Sequence, residues 1–345
     1  MNKLTKVGLS ALCGSLATVA SAQAGSLGVK GGATATWSSN QGDTTGNPIG
    51  MNSAVTFTGS GELDNGTTFT VTFTGADQAG YTSGGIAITT PSLGSFSING
   101  ATGGNGIGGY DDKMPTAWEE TWGTSLGTGI DLAKGSGSSM NVQYTTPAIA
   151  GATIKLAHSP RNTGGLVNDK SIGGDKASRK GASVDGVLDI SAFGQNIFAG
   201  YSWSGGTEGA DSSGTNKDKN SDHEEGVLGA ILSLGPVQAG YQVTGEFLGN
   251  EKTTSDVFGY KNTMWGVAFN VNDNLSLSYG EMTSRKGYVS GETVAVEMEV
   301  TSMQVAYTMG GATIKIAETE GDNLKYSTGT ANSKDATTVA LSLAF

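Results

Sequence analysis

From Leu27 to Trp37 the chain alternates. Leu27, Val29, Gly31, Ala33, Ala35 and Trp37 carry apolar or small side chains, and Gly28, Lys30, Gly32, Thr34 and Thr36 stand between them. A period of two marks a strand with unlike faces, because successive side chains point to opposite sides of a sheet. The same alternation recurs at 55–63, 69–73, 86–90, 96–100, 142–146, 152–158, 184–190, 197–203, 227–234, 237–246, 264–271, 275–279, 294–309, 312–318 and 337–345, which makes sixteen predicted strands.

The joints between them fall into two lengths. Short ones have hairpin-turn composition: 64–66 (DNG), 91–94 (PSLG), 147–151 (PAIAG), 192–195 (AFGQ), 235–236 (GP), 272–274 (NDN) and 310–311 (GG). The others are predicted as long polar loops, at 38–54, 74–85, 101–139, 159–182, 205–225, 247–261, 280–293 and 319–335. Regular alternation of seven turns with eight loops is what an up-and-down barrel produces, with both ends of the strand series on the short-turn rim. The predicted fold is therefore all-β, a 16-stranded antiparallel up-and-down transmembrane barrel. One apolar face per strand meets lipid, and closure of the sheet leaves no backbone group unpaired in hydrocarbon.

Composition strengthens this picture. Charged residues make up 15% of the chain, against roughly 25% in ordinary soluble domains. The 56 glycines each cost a helix interior about 1 kcal/mol relative to alanine, so long helices are not expected. A formal net charge of −11 and a pI near 4.6 exclude nucleic acid as a partner. Residues 1–24 read as a cleaved secretory signal: Lys3 and Lys6, an apolar run from Val7 to Ala20, and Ala22 and Ala24 before a cut at Gly25. The expected mature chain is a single domain, 25–345, and loss of the two lysines takes its net charge from −11 to −13. Cys13 lies in the signal and follows Leu12, where a lipoprotein signal wants Gly or Ala, so neither a lipid anchor nor a disulfide is expected.

The chain ends TTVALSLAF, with Val339, Leu341, Leu343 and Phe345 at alternate positions. Together with SLGVKGGATATW at the first strand, VTFTGSGELDNGTTFTVTF at the first hairpin and the long segment 101–139, this resembles the general bacterial porins, in particular their alphaproteobacterial branch, over the whole mature sequence. The resemblance implies an outer-membrane homotrimer whose third loop, 101–139, folds inward and narrows each water-filled pore near PTAWEETWG, 115–123. It also implies that Leu341, Leu343 and Phe345 are read by the outer-membrane assembly machinery. The expected partners are small hydrophilic solutes, outer-membrane lipid and lipopolysaccharide. One departure stands out: arginines are confined to Arg161, Arg179 and Arg285, in or near outer loops, so no strong transverse field is expected in the pore.

In a pore the chemistry is electrostatics at the narrowest point, where low-dielectric walls magnify each charge. The third loop carries Asp111, Asp112, Glu119, Glu120 and Asp131 against Lys113 and Lys134, a net charge of −3. Trp118 and Trp122 in the same loop either guide solute or pack the loop against the wall. Lys30, Glu62, Lys155 and Lys315 sit at the parity opposite to their apolar neighbours and are assigned to the lumen wall. Two of these lysines belong to an internal echo, GATIKLA at 151–157 and GATIKIA at 311–317. The acidic loop with Glu208, Asp211, Asp218, Asp222, Glu224 and Glu225 could hold Ca²⁺ or Mg²⁺ weakly, but its spacing matches no defined calcium loop. No other cofactor is expected. Matches to G-x-S-x-G at 123–127 and G-x-G-x-x-G at 104–109 lack the strand-to-helix context their chemistry needs. His158 and His223 have no second ligand at a metal-like spacing. The expected function is thus passive diffusion of small hydrophilic solutes and ions with a mild cation preference, not catalysis. The alternatives are a solute-selective channel with a binding site in the third loop, and a non-conducting barrel or surface protein with a structural or adhesive role.

Overall fold

The computed structural model describes residues 25–40, 46–123, 125–160, 180–206, 222–248, 257–288 and 295–345. Residues 1–24, expected above to be a cleaved signal, and Arg161, Arg179, Glu208, Asp211 and Asp218 lie outside these residues.

Sixteen strands form among the described residues: β1 Ser26–Asn40, β2 Ile49–Glu62, β3 Thr68–Ala76, β4 Ala79–Thr90, β5 Gly94–Gly100, β6 Asn141–Thr145, β7 Ala152–Ser159, β8 Lys180–Ala192, β9 Gln195–Gly206, β10 His223–Leu234, β11 Val237–Phe247, β12 Val257–Asn270, β13 Leu275–Tyr288, β14 Glu297–Met309, β15 Ala312–Asp322 and β16 Lys334–Ala344. Each pairs antiparallel with its neighbours in sequence, and β1 pairs with β16 to close the barrel. At that seam Phe345 exchanges backbone hydrogen bonds with Gly31, at 2.9 and 3.0 Å. Its ring lies over Gly31, where a Cβ would stand only 2.4 Å from the ring edge. Glycine at that position is what lets the aromatic ring cover the junction.

Alternation becomes inside and outside. Leu27, Val29 and Trp37 of β1, Phe69, Val71 and Phe73 of β3, and Ile314 and Ile316 of β15 are exposed on the outer wall, a large apolar surface that hydrocarbon, not water, would accommodate. The buried apolar residues are on the other face. Met264, Met282, Met298 and Val300 from β12 to β14 pack under Met114, Leu126 and Leu132 of segment 101–139. Val187, Phe198 and Val227 of β8 to β10 pack under Ile107, Tyr110 and Ala133. The barrel's core therefore lies inside it, beneath the segment, along one side of the wall.

The predicted joint 74–85 is not a loop. β3 and β4 run on to Ala76 and Ala79, leaving Asp77 and Gln78 as the turn. The strands continue past the lipid, where both faces meet water and the apolar half of the alternation is no longer required. The same reason extends β13 to Tyr288, into the predicted loop 280–293.

Candidate functional site

Segment 101–139 is held by polar side chains that project from the inner faces of the strands. Outbound, the Gly106 N–H donates to Gln143 Oε1 at 2.9 Å and Ile107 N–H to Asp185 Oδ2 at 3.3 Å. Gln242 of β11 donates to the carbonyls of Tyr110 and Asp111 and accepts from Lys113 N–H at 3.0 Å. Ser278 of β13 accepts from Ala117 N–H at 2.8 Å. Gln304 of β14 accepts from the Trp118 and Glu119 N–H groups, at 2.9 and 3.1 Å, and donates to Glu119 O at 2.7 Å. The far end reaches β1 and β16, where Ser125 Oγ meets Ser38 Oγ at 3.0 Å and Thr338 Oγ1 at 3.1 Å. On the way back Asn262 donates to Asp131 O at 2.9 Å, Glu225 accepts from Lys134 and Gly135 N–H, and Asp185 accepts from Ser136 N–H at 2.9 Å.

Small residues make room for this crossing. A Cβ on Gly240 would lie 2.7 Å from Pro115 Cδ, and one on Gly280 would lie 2.4 Å from Thr121 Oγ1. Close approach of the segment to the wall, rather than turn geometry, is what requires glycine at both positions.

Four of the five loop carboxylates, Asp111, Asp112, Glu119 and Glu120, stand close enough to influence one another. Burial pushes Asp112 up to about 6, against hydrogen bonds from Met114 N–H and Trp122 Nε1–H, with Glu120 adding to the rise. Burial also raises Asp111, opposed by a hydrogen bond from Asp112 N–H, and raises Glu119 together with the neighbouring Glu120. Glu120 is exposed. Trp122 donates to Asp112 Oδ2 at 3.1 Å and packs against the core with Ile130. Trp118 is half-buried, with Lys315 Nζ 5.6 Å from its ring centre.

Lys155 and Lys315, the paired lysines of the internal echo, each reach an aromatic ring of the segment. Lys155 Nζ donates to Tyr110 Oη at 2.6 Å and lies 4.7 Å from its ring centre. Tyr110 Oη in turn donates to Asp189 Oδ2 at 2.5 Å, and burial and that carboxylate push the phenol above its ordinary range. Lys30 and Glu62 are exposed on the inner faces of β1 and β2 and make no contact with the segment among the described interactions. On β1 to β6 they are the charged side chains of an otherwise neutral inner wall. From β2 to β6 it presents Asn52, Thr56, Thr70, Ser97, Asn99 and Gln143. Arg285 sits on the outer face of β13, paired with Glu297, so no arginine among the described residues faces the interior. Leu341, Leu343 and Phe345 are exposed on the outer wall.

Sequence reasoning missed the anchors Asp185, Gln242, Ser278, Gln304, Asn262 and Glu225. For all but Ser278 the signal available was a long amide or carboxylate at inner parity among Gly, Ser and Ala. Spacing alone also offered His223 no second ligand, whereas the strand register brings Glu225 and Glu246 to it.

A family model described as Gram-negative porin matches residues 8–345. No curated protein sequence matches significantly. Among solved structures, Salmonella typhi OmpF in complex with daunomycin aligns with a TM-score of 0.68 at 13% identity, covering 92% of this chain and 97% of that one. The trimer form of Vibrio cholerae OmpT aligns with a TM-score of 0.66 at 13% identity, covering 93% and 99%. An anion-selective porin from Comamonas acidovorans aligns with a TM-score of 0.64 at 14% identity, covering 93% and 100%.

Proposed function

This chain belongs to the Gram-negative porin family and forms a channel in the outer membrane, and we propose that the channel is a water-filled diffusion pore for small hydrophilic solutes and ions with a mild cation preference. The third loop, 101–139, is its constriction. The observation that carries this reading is the opposition of two surfaces. On one side Asp111, Asp112, Glu119 and Glu120 stand on the loop; on the other the inner wall of β2 to β5 is, apart from Glu62, a field of hydroxyls and amides. A permeating cation meets carboxylates without a facing row of fixed positive charge, and hydroxyls replace part of its hydration shell. Lys155 and Lys315 temper the field from the loop's own side of the pore, which keeps the preference mild. The Comamonas acidovorans porin is anion-selective by its description; the carboxylates here argue for the opposite sign. The homotrimer follows the Vibrio cholerae relative, with outer-membrane lipid and lipopolysaccharide around it.

The test is single-channel recording in a planar bilayer under a salt gradient. Ohmic steps with a reversal potential on the cation side are expected, and Glu119→Gln with Glu120→Gln in one chain moves that potential toward zero. Silence, or a reversal potential untouched by the double variant, defeats the reading. A solute-selective channel is the second reading, favoured by the half-buried Trp118 ring beside Lys315. It predicts a current that one solute class blocks saturably.

A further inference from the structure

The outer end of β10 holds a cluster that diffusion through the pore does not use. His223 and Glu225 are two residues apart on one strand, so both side chains take its inner face. The register sets Glu246 of β11 directly opposite Glu225. His223 Nε2 lies 2.7 Å from Glu246 Oε1 and 3.5 Å from Glu225 Oε1. One ligand-capable atom from each residue falls within 4.8 Å of the others. All three residues are buried, with 9% of His223, 2% of Glu225 and 8% of Glu246 exposed.

We propose that His223, Glu225 and Glu246 bind a divalent transition-metal ion of the zinc type, and that the ion ties the returning limb of the third loop to the barrel wall. The donor set decides the class of ion. One imidazole nitrogen and two carboxylate oxygens with an open fourth position suit Zn²⁺, whereas Ca²⁺ takes six to eight oxygens. Distances agree. Bonds of about 2.0–2.1 Å in a tetrahedral site put ligand atoms roughly 3.3 Å apart. The 3.5 Å separation fits, and the 2.7 Å one asks the Glu246 carboxylate to draw back by about half an ångström.

Support around the ligands is already built: the Lys134 and Gly135 N–H groups hold both oxygens of Glu225 in place, as donors behind metal ligands commonly do. Through those two bonds an ion at this site grips β10, β11 and the loop at once.

The experiment uses the full mature protein in detergent, stripped with a chelator and titrated with Zn²⁺ alone by calorimetry. One ion per chain is expected. His223→Gln and, separately, Glu246→Gln each weaken it by more than the roughly 10–100-fold that loss of a supporting outer-shell partner costs. Glu224→Gln, on the outer face of β10, leaves it unchanged. Heat-modifiable gel migration shows which variants have folded, and Glu246→Gln carries the test if His223→Gln has not. Co²⁺ gives the visible bands of a tetrahedral ion in the parent and loses them in either variant. Zinc saturation also slows amide exchange over 131–137. Absence of uptake, equal affinity in His223→Gln, or unchanged exchange over that limb overturns the proposal. These readouts involve no current, so their failure leaves the channel reading untouched.

Discussion

Replacing Gln304 by alanine tests whether the loop is held by its polar anchors. Gln304 is 1% exposed and makes three hydrogen bonds to the loop backbone, to Trp118 N–H, Glu119 N–H and Glu119 O. At about 1 kcal/mol net for each, the truncation removes roughly 3 kcal/mol from the local closed state. At about 1.4 kcal/mol per factor of ten, that is on the order of a hundredfold in the equilibrium between held and released backbone. The assay is amide hydrogen exchange by mass spectrometry on the barrel in detergent, following peptides that cover 115–123. Exchange at Trp118 and Glu119 should rise about a hundredfold by the same arithmetic, while Ile107 and Ser136, whose N–H groups donate to Asp185, stay as they were. Gln238→Ala, a glutamine bonded to Ser233 and not to the loop, serves as the control. A rise of less than about threefold would mean that Met114, Leu126 and the other apolar contacts hold the segment by themselves and that the polar anchors add nothing to its hold.

Three further outcomes are expected. Cation preference should be full at pH 7.5 and fall as pH drops through about 6, where Asp112 takes up a proton; Asp112→Asn removes that step from reversal potentials measured across the range. The stability linked to the same group runs the other way. With its folded value raised, it contributes most below the ordinary aspartate range and loses that contribution as pH rises through about 6, visible as a thermal midpoint that falls over that interval. Gly240→Val drives a side chain into Pro115 and Met114, and should cost about 1–3 kcal/mol, read as a lower unfolding temperature and faster exchange at Met114. Phe345→Ala uncovers the seam over Gly31 and should lower the fraction of chains assembled in the outer membrane, measured by heat-modifiable migration; wild-type yield would contradict that role.

What the sequence determined by itself is whatever depends on alternation. Leu27 to Trp37 could be assigned a lipid face and a water face without any knowledge of neighbours, because the pleat fixes the period and hydrocarbon selects the side. The sixteen strands among the described residues and the closed barrel follow from that one rule. It loses force beyond the membrane, which is why 74–85 reads as a loop although β3 and β4 run through most of it. Tertiary structure decided everything that depends on which strand stands across from which. Nothing in the spacing of Gln242, Ser278 and Gln304 says that one crossing segment will bond to all three. Nor does anything local say that Glu246 will face Glu225 and His223. Those contacts are set by the register of strand pairs and by the run of segment 101–139 along the strands' inner faces, and side chains far apart in the chain share a site only after the cylinder has closed.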